Sequence, residues 1–198
     1  MLIRNTITLF LFLLLTLSAP FMLLAQDTEV ELTVGFLTSN DILNYNDTPF
    51  RQVFPDEDVT SSDTHSTGIG IAFRHLVHHN IKVGGQLTYQ RVDKEFVQDN
   101  IKIGEGTVDF FTLLGNANFY WLQSGSFGIF SGAGLGFSFS NEDQFDLNDD
   151  ELSRTETGLF FAWQANAIGF EFGRDFRFVT NAGFGTQGVV SFGLKFRF

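Results

Sequence analysis

Apolar residues recur at every second position through most of this chain, and that period commits it to strands with one apolar and one polar face. Val30, Leu32, Val34 and Phe36 alternate with Glu31, Thr33 and Gly35. Ile69, Ile71 and Phe73 alternate with Gly70, Ala72 and Arg74, and Ile81, Val83, Leu87 and Tyr89 with Lys82, Gly84, Gln86 and Thr88. Phe111, Leu113, Ala117, Phe119 and Trp121 form a fourth row, and Phe127, Ile129, Ala133, Leu135, Phe137 and Phe139 a fifth. Phe176, Phe178, Ala182 and Phe184 alternate with Arg177 and Asn181, and Val190, Phe192, Leu194, Phe196 and Phe198 with Ser191, Gly193, Lys195 and Arg197. No stretch after the first 25 residues carries the three- and four-residue spacing of an amphipathic helix.

An eighth run, Gly158 to Phe172, changes parity. Leu159, Phe161 and Trp163 share one face, while Ile168, Phe170 and Phe172 share the other. A β-bulge reconciles them, at a position the sequence leaves open. The pattern predicts eight strands, most about 9–12 residues long, close to the 9–11 that a tilted strand needs to cross a bilayer.

The connections alternate in length. Ser39 to Ser66, Asp93 to Gly106 and Ser140 to Glu156 are long and polar, while His75 to Asn80, Leu122 to Ser126 and Gly173 to Asp175 are short. Thr186 to Gly188 departs from the pattern by being short as well. Tight turns at one end and long loops at the other describe an up-and-down barrel of the outer-membrane kind. An even strand number then brings both termini to the tight-turn, periplasmic side.

Charge agrees with that orientation. The chain holds 12 basic and 23 acidic residues for a net charge of −11. The three long loops contain 17 of the acids and four of the bases: Arg51, Lys94, Lys102 and Arg154. The acidic balance argues against nucleic-acid binding, which needs a basic stripe. The absence of Cys excludes a disulfide scaffold, a thiol nucleophile, a Cys-ligated metal and an acylated lipoprotein anchor.

The first 25 residues read as a targeting segment. Arg4 precedes an apolar run from Ile7 to Leu17, and Ser18-Ala19-Pro20 follows, which is the order of a secretory signal. Cleavage after Ala25 divides the chain into a signal peptide, 1–25, and a barrel domain, 26–198. The alternative is an uncleaved anchor, since Thr6 to Ala25 is long enough to span, but Pro20 interrupts it and acids follow it.

Water is absent from hydrocarbon, so strands can cross it only when a closed barrel pairs every backbone amide. The expected fold is therefore an all-β, eight-stranded, antiparallel up-and-down transmembrane barrel. Its Phe, Leu, Ile and Val rows face lipid, and its Gly, Asn, Gln, Thr, Lys and Arg rows face inward. Tyr89, Trp121, Trp163 and Phe198, near strand ends, are expected at the interfaces. A lipocalin-like soluble barrel would turn the apolar rows inside instead.

At its C-terminus the chain resembles a known family. Ser191, Gly193, Phe196 and Phe198 match the assembly signal of the small OmpA/OmpX-type outer-membrane barrels, the outer-membrane β-barrel domain or porin-family proteins. Asn181-Ala182-Gly183-Phe184-Gly185 is similar to their penultimate strand. The resemblance implies insertion by the barrel-assembly machinery of a Gram-negative outer membrane, with outer-membrane lipid as the surroundings. Many members of that family have no established activity.

Candidate chemistry is sparse. His75, His78 and His79 have helical metal-ligand spacing but fall in a predicted turn with no acidic partner close in sequence. Asp56-Glu57-Asp58 and Asn148-Asp149-Asp150-Glu151 lack the EF-hand spacing and read first as solvated loop, with divalent cations as candidate partners. His65, beside Asp63 and Ser66, is the one histidine placed to reach an outer-rim catalytic site. No catalytic, cofactor or metal residue is therefore assigned.

Three classes of function remain: a structural or surface-interaction barrel working through its long acidic loops, a narrow pore for small solutes or ions, and an outer-membrane lipid-modifying enzyme. The first is favoured because eight strands leave an interior just wide enough for side chains to fill. Parity turns Glu31, Arg74, Lys82, Arg177, Lys195 and Arg197 inward near one end, and Glu171 with them if the bulge allows. Buried charges persist only when paired, so these residues are expected to plug the barrel, with Glu31 bridging to Lys195 or Arg197. The protein is expected to act as a monomer.

Overall fold

The computed structural model describes residues 28–38, 60–64, 67–98, 101–146 and 154–198. The expected signal peptide, the clusters at 56–58 and 148–151, and His65 lie outside them. Eight antiparallel strands form the wall: β1 (Thr28–Phe36), β3 (Gly68–His78), β4 (Ile81–Gln98), β5 (Ile101–Gln123), β6 (Phe127–Asp146), β7 (Arg154–Gly173), β8 (Phe176–Gly185) and β9 (Val190–Arg197). A short strand, β2 (Thr60–Thr64), lies within the first expected loop and pairs with the far end of β4.

The sheet closes on itself because the first strand pairs with the last, Val34 opposite Phe192. One ladder row runs from Leu159 through Phe139, Phe111, Tyr89, Ile69, Val34, Phe192 and Thr180 to Phe170. It returns to β7 eleven residues from where it began. That stagger gives eight strands a tilt of roughly 40°. The tight turns at His79–Asn80, 124–126 and 174–175 share one end with both Thr28 and Phe198, whose N–H donates to the Thr28 carbonyl at 3.0 Å.

The apolar rows face out. Leu32, Ile69, Phe73, Leu113, Leu135 and Phe161 are all half or more exposed, while Glu31, Lys82, Glu171 and Lys195 are 0–1% exposed. This is the reverse of a lipocalin-like barrel. A water-soluble protein does not present so continuous an apolar wall, and hydrocarbon is the solvent that suits it. Paired rings lie near the ends of the wall, Tyr89 on Phe111 and Phe127 on Phe172, each 5.0 Å between centroids.

Two expectations about the strands change. The connection Asp93–Gly106 is not a loop: β4 and β5 run on as a paired hairpin to Gln98 and Ile101. Likewise β6 continues to Asp146 and β7 starts at Arg154. Alternation of apolar with polar residues ends at Tyr89 and Phe111, but pairing does not. Polar Thr and charged side chains tolerate a strand that is wetted on its outer face.

The bulge falls at Ala167. Phe130 faces Gly169 and Gly132 faces Asn166, so β7 spends one residue more than β6. β5 carries a matching irregularity at Trp121, between Tyr120 and Leu122. Ser131 of β6 lies between the two. Its hydroxyl donates to the Ala167 carbonyl at 2.6 Å and accepts from Trp121 Nε1 at 2.9 Å. The bulge carbonyl, which the ladder leaves over, thereby finds a partner on the lipid-facing side.

Candidate functional site

A cluster of charged side chains and two aromatic rings fills the barrel near its tight-turn end, and every strand of the wall supplies a member. β1 gives Glu29 and Glu31, β3 Arg74, β4 Lys82, β5 Tyr120, β6 Phe130, β7 Glu171, β8 Arg177 and β9 Lys195; none is more than 4% exposed. Alternation explains how they meet. A strand turns every second side chain inward, and the inward rows of eight tilted strands converge on one axis.

Lys195 is the hub. Its Nζ donates to Glu171 Oε2 at 2.7 Å and to the Tyr120 hydroxyl at 3.2 Å. It lies 3.5 Å from both Glu29 Oε2 and Glu31 Oε2. Arg74 Nη1 donates to Glu31 Oε2 at 2.5 Å, and Lys82 Nζ to Glu29 Oε1 at 2.6 Å. Arg177 pairs with Glu171 Oε1 and also donates from Nε to the Arg174 carbonyl at 2.8 Å. The Tyr120 hydroxyl donates to Glu171 Oε2 at 3.1 Å, so Glu171 is held by three strands.

Aromatic rings seal the remaining space. Lys82 Nζ sits 4.2 Å from the centre of the Tyr120 ring, and Lys195 Nζ 5.4 Å from that of Phe130, both within cation–π range. The Tyr120 and Phe130 centroids are 5.2 Å apart. Small residues across the ladder make room. A Cβ at Gly128 would come within 2.7 Å of Glu171 Cγ, and one at Gly169 within 2.4 Å of Phe130 Cζ.

Above the charges the lumen turns neutral as far as Ser140, beyond which Glu142 is buried on the same face of β6. Arg74 Nε donates to Asn116 Oδ1, Asn116 Nδ2 to Gln86 Oε1, and Gln86 Nε2 to Thr88 Oγ1, each at 3.2 Å. Thr112 and Ser138 hydroxyls meet at 2.9 Å. Buried polar groups in a narrow interior need such partners. At the far mouth the β8–β9 turn folds over the wall: the Gln187 N–H donates to Gln164 Oε1 at 2.8 Å, and its carbonyl would clash with any side chain at Gly35.

Of the residues the sequence singled out for the lumen, Glu31, Arg74, Lys82, Glu171, Arg177 and Lys195 come together here. Arg197 sits at the rim, half-buried, opposite Glu29 on β1. The bridge expected from Glu31 to Lys195 or Arg197 runs to Lys195, and Arg74 gives Glu31 its shorter contact. Glu29, Tyr120 and Phe130 were not foreseen. Glu29 shares the parity of Glu31 one step before the recognised run, and the two rings occupy inward positions that look apolar in sequence.

The other candidates stay apart. Ser191 and Gly193 face inward on β9, and Phe196 and Phe198 face outward. His78 and His79 are exposed in the β3–β4 turn, their rings 4.0 Å apart, while His75 contacts Thr28 Oγ1 at 3.4 Å. Among the described residues no group of three or more His, Cys, Asp or Glu could hold a metal ion.

No family model matches the chain, and no curated protein matches it in sequence. Among solved structures it is similar to Ail, the attachment invasion locus protein of Yersinia pestis, at 12% identity and a TM-score of 0.47, over 87% of this chain and 100% of that one. Ail in complex with the heparin analogue sucrose octasulfate gives 12% and 0.48 over the same shares. The outer membrane protein OprG from Pseudomonas aeruginosa gives 11% and 0.47, over 87% of this chain and 90% of that one. By its own closed eight-stranded antiparallel wall, the chain has the up-and-down architecture of the small outer-membrane barrels that its C-terminal strand resembles.

Proposed function

We propose that this is an integral barrel of a Gram-negative outer membrane, closed to solutes, that acts through the acidic surface it raises outside the membrane. The carrying observation is the charge cluster. At the tight-turn end four cations and three carboxylates, each at 4% exposure or less, occupy the lumen, bound to one another rather than lining a channel. A path for ions would need those pairs to separate in a low-dielectric interior, which costs several kcal/mol for each ion left alone.

The outward reading follows from what remains. With the lumen filled, the surface available for work is the part of β4 to β7 beyond the apolar wall. β4 continues nine residues past Tyr89, and β5 begins ten residues before Phe111. The signal-like N-terminus and the terminal Ser191, Gly193, Phe196 and Phe198 pattern support delivery and insertion by the barrel-assembly machinery. The reading is not enzymatic: among the described residues the lumen's carboxylates are engaged by its cations.

Planar-bilayer recording on the purified full chain tests this. The expected result is no sustained single-channel current. Stable, ion-selective channels would overturn the closed lumen and favour the pore.

A further inference from the structure

The turn between β8 and β9 does not stand clear of the mouth but dips into it. Gly35 lies between the outward-facing Val34 and Phe36, so a Cβ there would point into the lumen, and it would collide with the Gln187 carbonyl. Gly185, Thr186, Gln187 and Gly188 are all buried. Close by, Leu37, with a φ of 54°, turns the chain at the end of β1, and the Thr38 hydroxyl donates to Gln90 Oε1 at 2.9 Å.

This closed turn is incompletely bonded. Thr186 and Gln187 are 6% and 2% exposed, yet Thr186 Oγ1 and both Oε1 and Nε2 of Gln187 have no hydrogen-bond partner among the described residues. Buried polar atoms ordinarily have one, and these forfeit the hydrogen bonds they would make in water. Two bonds tie the turn to β7: Thr186 N–H donates to the Trp163 carbonyl at 3.1 Å, and Gln187 N–H to Gln164 Oε1 at 2.8 Å. Its ends are hinges. Gly185 and Gly188, at φ values of 139° and 104°, hold conformations that glycine adopts without strain. Beyond them, Gly183 N–H donates to the Val189 carbonyl and Val189 N–H to that of Phe36, each at 2.9 Å. The turn can therefore lift while the β1–β9 seam stays paired. Lifting gives up the two bonds to β7 and returns three polar atoms to water.

Further down the lumen lies the neutral belt. Gln86, Thr88, Gln90, Thr112, Ser138 and Gln164 carry no charge. Among the described residues Glu142 is the one charged side chain buried outside the cluster, and it is already engaged. A charged solute would lose its water in this belt without a free counter-ion, whereas a neutral one meets donors and acceptors.

We propose that the β8–β9 turn is a lid over a blind, uncharged vestibule. It swings outward about Gly185 and Gly188, admits small neutral solutes to the polar belt, and leaves the charge cluster below shut. This rests on the reading of the lumen as closed and adds a compartment above the closure.

Amide hydrogen exchange on the wild-type barrel in nanodiscs tests the motion without any variant. The Thr186 and Gln187 N–H groups are expected to exchange roughly a hundredfold faster than those of Gly183 and Val189, which flank the hinges. Equal protection overturns the lid. Gln187→Leu, which removes two of the unpartnered atoms, should slow that exchange roughly tenfold; an unchanged rate overturns their part in driving the motion. Thiol labelling tests the vestibule, since the chain has no Cys of its own. Thr33→Cys, one inward step below Gly35 on β1, should react with hydroxyethyl methanethiosulfonate. The sulfonatoethyl and trimethylammonioethyl analogues should react roughly tenfold more slowly. Adding Gly35→Ala, whose methyl displaces the Gln187 carbonyl, should speed the neutral reagent. No reaction of the double variant, folded by its heat-modifiable gel shift, overturns the vestibule. Equal rates for the three reagents overturn its selectivity. A barrel that passes no current yet keeps its turn protected refutes only this inference, whereas one that conducts refutes the closed lumen.

Discussion

Lys195 on the last strand stands directly across the ladder from Glu31 on the first, with Nζ 3.5 Å from the Glu31 carboxylate. The seam that closes the barrel therefore also completes the charge cluster inside it. Before β9 docks, Glu29, Glu31 and Glu171 lack the ammonium on which they converge. Closure and filling of the lumen are one event in this fold.

Removing one partner of a buried pair leaves the other charge uncompensated, which typically costs about 3–5 kcal/mol. Glu31→Ala strands Arg74 and weakens Lys195, and Glu171→Ala strands Arg177 and takes from Lys195 its shortest contact. Each is expected to lower unfolding stability by about that amount, read as the urea midpoint of the heat-modifiable gel shift. An unchanged midpoint would mean that the cluster is hydrated rather than mutually paired.

Ser131→Ala tests the double bulge. The Ala167 carbonyl would lose its donor and Trp121 Nε1 its acceptor on the outward face of the wall. An unmet polar group of this kind costs about 1–3 kcal/mol. Urea unfolding should show that loss, and Trp fluorescence should shift as the indole is released. Ser131→Thr, which keeps the hydroxyl, should recover most of both.

Phe198 closes the outward row of β9 and is exposed beside Thr28. Deleting it is expected to leave unfolded chain in the periplasm, as the resemblance of the C-terminal strand to an assembly signal implies. Fractionation of cells checks this. A deletion that inserts normally would remove that role from Phe198.

Asp109 lies above the apolar wall, on the projecting part of β5. Arg91 donates to both its oxygens and Tyr89 to one, at 2.8, 2.8 and 2.6 Å, and these hold its carboxyl below the usual aspartate range. A depressed native value means that the pair's stabilisation is present above the unfolded-state value of about 3.9. It is lost as pH falls through the lower native one. The carboxyl carbon resonance of Asp109 should titrate below about 3.9, and Arg91→Ala should raise that midpoint. Arg91 is exposed and Asp109 only partly covered, so the pair's effect on global stability should be slight.

Period two alone fixed strands, and the parity of Glu31, Arg74, Lys82 and Lys195 put them on one face, because a pleated strand has just two sides. It could not say which side was the interior, since alternation looks the same in a lipocalin-like barrel. Nor could it locate the bulge: Ala167 is unremarkable in composition, and only the registers of Gly132 with Asn166 and of Ile168 with Ala182 reveal the extra residue. Hence the inward turn of Glu171 was undecided by sequence. The heights of β4 to β7 were hidden as well, because a wetted hairpin needs no apolar row to stay paired. Which cation meets which carboxylate depends on stagger, a property of the closed sheet. Alternation is a local, one-dimensional property of the chain. Pairing of Lys195 with Glu31 requires residues 164 positions apart to share a row, and only closure of the tertiary structure brings them there.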